Sequence, residues 1–292
     1  MGNLRRLKNI AARIVRHWGF WVLLAMVLGL ILGNFTFNEF IGKPNVGVVR
    51  INTTLYPWTA PQIVKMLKYA EENNAIKAVV LEIDCPGGDA VSTEELYLDI
   101  VGLRNKKPDE AYVNTVGASG GYYISVAANF IYAKASSTLG GVGAYVSLPE
   151  REKIFEDVIP TGPYKATGSS IREVVSRLEM LKQSFLQAVS AQRGDRLKIS
   201  KEELSKAGLY NGIQAVRYGL IDEIGSSFDA IQKAAELAGL RNYGVIDINE
   251  ELSLSLSAWY ERVESSSAQA SKLQGGMLPV YYFLYISPEA QE

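Results

Sequence analysis

Three short apolar runs constrain the fold most: VGVVRI at 46–51, AVVLEID at 78–84 and AYVNTV at 111–116. Each has the length of a buried strand, and each is followed by a turn or a helix start. Thr59-Ala-Pro-Gln62 reads as a capping box with an early proline and predicts a helix over about 60–73. Ser92-Thr-Glu-Glu95 opens a helix to about 105. FIYA at 130–133 and the glycine-weakened GGVGAYV at 140–146 add further strands. Helix starts follow at Ser147, at Ser170 (Ser170-Ile-Arg-Glu173) and at Ser200 (Ser200-Lys-Glu-Glu203), and the helix over about 171–193 is the longest. Strands alternating with helices mean an α/β fold with mainly parallel pairing.

The N-terminal region reads differently. Residues 1–17 carry Arg5, Arg6, Lys8, Arg13 and Arg16 and no acid, and WGFWVLLAMVLGLILGNFTFN at 18–38 contains no charge. As a helix at ~1.5 Å per residue this run measures about 31 Å, close to the hydrocarbon thickness of a bilayer. The reading is a basic cytoplasmic segment (1–17), a retained single-pass anchor (18–38) and an extracytoplasmic body at the cell membrane, in contact with lipid. Residues 46–240 form the main domain. Residues 241–292 form an extension with a polar linker (262–276) and an apolar tail, MLPVYYFLYI at 277–286. The tail is either a last strand or a segment that docks in a groove of its own or a neighbouring subunit.

Elimination narrows the chemistry. The only histidine, His17, sits on the basic side of the apolar run, away from the strand–turn–helix elements. A histidine-based triad and a Cys-His pair are therefore disfavoured. The only cysteine is Cys85, so His/Cys zinc sites lack ligands. No phosphate loop is present, and no cofactor or metal is expected. Apart from its basic start the chain is mildly acidic, which argues against nucleic acid as a partner.

GASGG at 117–121 fits G-x-S-x-G and lies between a strand and a helix. That context either makes Ser119 a nucleophile at a helix N-terminus or is a tight turn needing small residues. A serine without histidine needs another base, and a lysine serves if its pKa is lowered. Lys165, in Thr-Gly-Pro-Tyr-Lys-Ala-Thr-Gly, fits that better than lysines on charged helix faces such as Lys182 or Lys233. The turn Asp84-Cys-Pro-Gly-Gly88 is either an ordinary connection or one half of an oxyanion hole, with Gly120 the other half. Cys85 reads as a small buried residue.

Five segments in order then resemble the signal peptide peptidase A family: Asp84-x-Pro-Gly-Gly88, ASGGYYIS at 118–125, LGGVGAY at 139–145, TGPYKATGSS at 161–170 and GLYNGIQAVRYGLIDEIG at 208–225. The likeness covers about 46–240. It implies a Clp protease/crotonase-like fold of repeated β-β-α units, here after one N-terminal transmembrane helix. It implies a serine-type endopeptidase with a Ser-Lys dyad, Ser119 as nucleophile and Lys165 as general base. Gly87, Gly88 and Gly120 would line the oxyanion hole. It further implies ATP-independent cleavage of signal peptides and other membrane-derived peptides by a homo-oligomeric ring. One departure stands out. Where relatives often carry a serine thought to orient the lysine, this chain has Gly141, leaving Ser137, Thr138, Tyr145 or water. A membrane-tethered peptide-binding scaffold is the alternative that this departure supports.

Overall fold

A computed structural model describes residues 19, 21–33, 44–147, 161, 162, 164, 168–252 and 281–284. Two units are distinguished: residues 1–43 with 242–244, and residues 44–241 with 245–292.

In the first unit the expected anchor does not hold. Among the described residues no helix is long and apolar enough to cross a membrane. Of the expected span, residue 19 and residues 21–33 are described, and all are helical. Residues 18, 20 and 34–38 of the expected span lie outside the described residues. The finding overturns the transmembrane helix, the cell-membrane localisation with its cytoplasmic N-terminus, and the membrane-anchored form of the activity.

The second unit is the α/β body. Strand β1 (Pro44–Ile51) is followed by α1 (Ala60–Glu72), then β2 (Ala78–Cys85), β3 (Gly87–Asp89) and α2 (Ala90–Arg104). The order β2–β3–α2 is a β-β-α unit of the expected kind. Next come β4 (Asp109–Ala118), α3 (Gly120–Ser125), β5 (Phe130–Ala133), β6 (Thr138–Gly140) and β7 (Tyr145–Val146). After them lie α4 (Ile171–Arg193), α5 (Lys201–Leu204), β8 (Leu209–Asn211), α6 (Gly212–Tyr218), β9 (Glu223–Ile224), α7 (Ser227–Leu237), β10 (Gly244–Asp247), α8 (Ile248–Glu251) and β11 (Tyr281–Leu284). The helix expected from Ser147 falls outside the described residues.

The main sheet runs β10-β1-β2-β4-β5-β9, with β6 beside β4 and β8 beside β6. Its centre, β1-β2-β4-β5, is parallel. Central parallel strands are covered on both faces and so read as continuous apolar runs. In β2 only Glu82 and Asp84 escape full burial. The covering helices present stripes at helical spacing: Ala60, Ile63, Met66, Leu67 and Ala70 of α1 are all buried.

Two caps differ from the sequence reading. Thr59 makes no side-chain cap; its hydroxyl donates to Thr54 O at 2.8 Å and accepts from Tyr56 N–H at 2.8 Å. The hydroxyl is spent on the preceding turn. Helix α2 begins before Ser92, capped by Asp89, whose Oδ2 accepts from Ser92 N–H and Ser92 Oγ–H at 2.8 Å each. A carboxylate accepting two donors is the stronger cap. The box Ser170–Glu173 on α4 forms as expected.

Where β4 begins, Asp109 and Glu110 are fully buried. Burial, then the neighbouring Asp109 and Asp222, push Glu110 up to about 9. Burial also pushes Asp109 up to about 8, against a backbone hydrogen bond from Asn129. A carboxyl with a raised folded-state pKa binds its proton more tightly when folded. Its contribution is full below the unfolded value near 4.5 and is lost as pH rises through about 9. Urea unfolding of the full chain is therefore expected to show stability falling from about pH 5 to pH 9. Glu110→Gln should flatten that fall; an unchanged slope would contradict this reading.

Candidate active site

Ser119 sits where β4 turns into α3. Its backbone is at φ 51°, ψ −119°, a region that costs a non-glycine residue of order 1–3 kcal/mol and persists only where the surroundings enforce it. Two hydrogen bonds do so here. Ser119 N–H donates to Gly140 O at 2.7 Å, and Tyr123 N–H donates to Ser119 O at 2.9 Å. Its own N–H is thus taken. The first N–H groups of a helix have no partner within the helix, which makes Gly120 N–H the next donor pointing out of this turn.

The turn is seated on β2. A Cβ at Gly121 would lie 2.1 Å from Cys85 O, so only glycine permits the approach. Cys85 is fully buried and its thiol is pushed up to about 12 by desolvation, which keeps it an inert packing residue. On another side Gly141, at φ 68°, packs so that a Cβ there would lie 3.2 Å from Ser119 N. Glycine-lined backbone therefore borders the serine on two sides.

The turn at 84–88 forms a third border. Gly87 N–H is directed at Cys85 Sγ, 3.4 Å away, and Gly87 takes φ 111°. Leu55 N–H donates to Gly87 O at 2.8 Å, and Asp89 N–H donates to Leu55 O at 2.7 Å. Successive backbone groups of a strand alternate in direction, so Gly88 N–H and C=O face away from Leu55. A Cβ at Gly88 would fall 1.9 Å from Leu55 O. Helix α3 packs against β3, bringing Gly120 and the Gly88 edge into one region.

Behind the turn, Arg193 is buried and forks onto Asp222, Nη1 to Oδ2 at 2.8 Å and Nη2 to Oδ1 at 2.9 Å. Its Nε–H donates to Gly219 O at 2.8 Å. Asp222 Oδ2 also accepts from Ile131 N–H at 2.8 Å, and Tyr122 Oη–H donates to Leu220 O at 2.8 Å. The network ties α3, α4 and β5 to the loop at 219–222. Sequence reasoning missed it. The signal was a bidentate-capable arginine in the last turn of the longest helix and the first of the two acids in GLIDEIG, Asp222.

Of the expected residues, Ser119, Gly120, Gly87 and Gly88 are brought together; Lys165 lies outside the described residues. Ser137, one candidate for the hydroxyl that Gly141 lacks, is committed elsewhere. Its Oγ lies 2.7 Å from Asn114 O and accepts from Lys134 N–H at 3.1 Å.

Similarity to known proteins gives the class. The class is that of serine-type endopeptidases. Residues 102–241 match the family model "Peptidase family S49". A protein named "Putative protease slr0021" from Synechocystis sp. is 30% identical over 68% of this chain and 76% of its own length. Protease 4 of Haemophilus influenzae is 28% identical over 70% of this chain, which spans only 36% of that protein. A Methanocaldococcus jannaschii relative, also named as a protease, is 28% identical over 64% of this chain and 65% of its own length. The chain belongs to peptidase family S49.

Two substitutions test the architecture. Gly121→Ala forces Cβ onto a backbone carbonyl and should destabilise by about 1–3 kcal/mol or more, read as a lower urea midpoint with unchanged m-value. Arg193→Ala removes the bidentate partner of Asp222, which keeps Arg196 and Ile131 N–H, and leaves Gly219 O without its donor; it should cost about 1–3 kcal/mol. Loss below 1 kcal/mol in either variant would contradict the packing described.

Proposed function

We propose that this chain cleaves peptide bonds in extended polypeptide segments, with Ser119 as nucleophile and Lys165 as general base. The observation that carries the reading is the strained turn at Ser119, seated on the Cys85 carbonyl of β2 and bordered by glycine backbone at 87–88 and 140–141. A neutral Lys165 Nζ takes the Oγ proton as Oγ attacks the substrate carbonyl carbon. The resulting oxyanion is held by Gly120 N–H and Gly88 N–H, which cost no reorganisation as charge develops. The protonated lysine then gives its proton to the leaving amine, and water, deprotonated by the same lysine, releases the acyl group. Gly87 supports this hole by shaping the turn. Histidine is absent from residues 44–292, which favours lysine as the base.

Substrate in this reading is backbone-bound, since the edge of β3 that faces away from Leu55 accepts an antiparallel strand, here β11. Assembly of several copies belongs to the same proposal. Exposed Ile171 and Val175, one turn apart on α4, give a small apolar patch for a neighbouring copy.

Hydrolysis of a fluorogenic peptide library by the full chain tests the dyad. Ser119→Ala and Lys165→Ala should each lose at least ~10³-fold in kcat/KM while remaining folded. The parent rate should rise with pH to a plateau as the lysine loses its proton. Retention of full activity by Ser119→Ala would sink the assignment.

A further inference from the structure

The carbonyl that holds Ser119 N–H, Gly140 O, needs a support of its own. Gly140 is the last residue of β6, opposite Ala118 of β4 on one side and Leu209 of β8 on the other. At this strand end Gly140 and Gly141 take φ 106° and 68° in succession. Adjacent glycines have no side chains to restrict their backbone, so the direction of the Gly140 carbonyl is set from outside the segment.

The segment 207–210 supplies that restraint. Gly141 N–H donates to Gly208 O at 2.9 Å. The Tyr210 ring covers both glycines. A Cβ at Gly140 would lie 3.0 Å from Tyr210 Cδ2, and a Cβ at Gly208 would lie 2.9 Å from Tyr210 Oη. Tyr218 meets the same ring edge-on, with centroids 5.1 Å apart and planes at 74°. Tyr218 ends α6 and precedes Gly219, whose carbonyl accepts from buried Arg193. The ring thus links the glycine backbone beside the serine to the network behind it. Ala207, three residues before the ring, takes φ 57° and is the one non-glycine residue besides Ser119 with positive φ among the described residues.

We infer that Tyr210 is a positioning residue for the nucleophile: by packing on Gly140 and Gly208 it fixes the carbonyl that holds Ser119 in its strained turn. This rests on the Ser119 reading above. Tyr210 acts through the Gly140 backbone, not on the reacting atoms, and what it contributes is the span of its ring. Burial, then Glu203, push its hydroxyl above the ordinary phenol range, so it carries no charge at working pH.

The test uses the full-length chain. Tyr210→Phe keeps the ring and should match the parent in kcat and in pH profile. Tyr210→Leu keeps apolar bulk but does not span both glycines. Gly208→Ala disturbs the same contact from the other side, because its Cβ meets the far end of the ring, which must shift. Both should lower kcat roughly 10- to 100-fold, as a displacement of about 1 Å does, with KM within about twofold of the parent. Met66→Ala, in the buried stripe of α1, lowers stability without touching β6 or β8 and should leave kcat unchanged. Parent kcat in Tyr210→Leu and Gly208→Ala, or an equal fall in Met66→Ala, would overturn the inference.

Hydrogen exchange separates this inference from the nucleophile assignment, because it needs no turnover. The Ser119 amide should exchange at least about tenfold faster in Tyr210→Leu than in the parent or in Tyr210→Phe, with the amides of β2 unchanged. Unchanged exchange at Ser119 would overturn the positioning role while leaving the dyad to the Ser119→Ala and Lys165→Ala assays.

Discussion

The site depends on one close approach, the seat of the β4–α3 turn on the Cys85 carbonyl. Gly121 leaves no room for a Cβ there, and this nearness fixes where the preceding serine must sit. Ser119 then takes a positive φ that its own conformational preferences oppose. The cost is offset by its N–H bond to Gly140 and by the first turn of α3. Strain of this kind survives only on a stiff platform, and the parallel core strands β2 and β4 supply it.

Stiffness extends behind the turn. Arg193 and Asp222 are both almost wholly buried, and each satisfies backbone groups as well as its partner. A buried pair alone is weak evidence of stability, since desolvation opposes it. Its value here is geometric, because it links the end of α4 to β5 and to the loop that accepts the Tyr122 hydroxyl. Tyr122 lies on the helix that begins at the serine.

Much of this was legible in the sequence, for reasons that differ by residue. Strands β1, β2, β4 and β5 announced themselves through apolar runs, and α4 through its reciprocal Ser170–Glu173 cap. Ser119 was legible because a nucleophile elbow needs glycine at fixed offsets between a strand and a helix. Asp89 displaced Ser92 as a cap because two acceptable capping residues lay three apart and only the fold chose between them. The apolar run at 18–38 establishes only an absence of charge, and among the described residues no helix has the length and apolarity that a membrane crossing needs. Gly140 as the latch on Ser119 was illegible. A backbone carbonyl carries no side-chain signature, and its role arises from β6 lying beside β4. The base was equally underdetermined from residues alone, since selecting one lysine among many depends on tertiary neighbours.

Covalent labelling of the full-length chain with a fluorophosphonate probes the central claim most directly, because it reports the nucleophile without presuming a substrate. The account predicts one adduct per chain, mapped by peptide mass spectrometry to Ser119, absent in Ser119→Ala and markedly slowed in Lys165→Ala. An adduct on another serine, or labelling of Ser119 at an undiminished rate in Lys165→Ala, would contradict it.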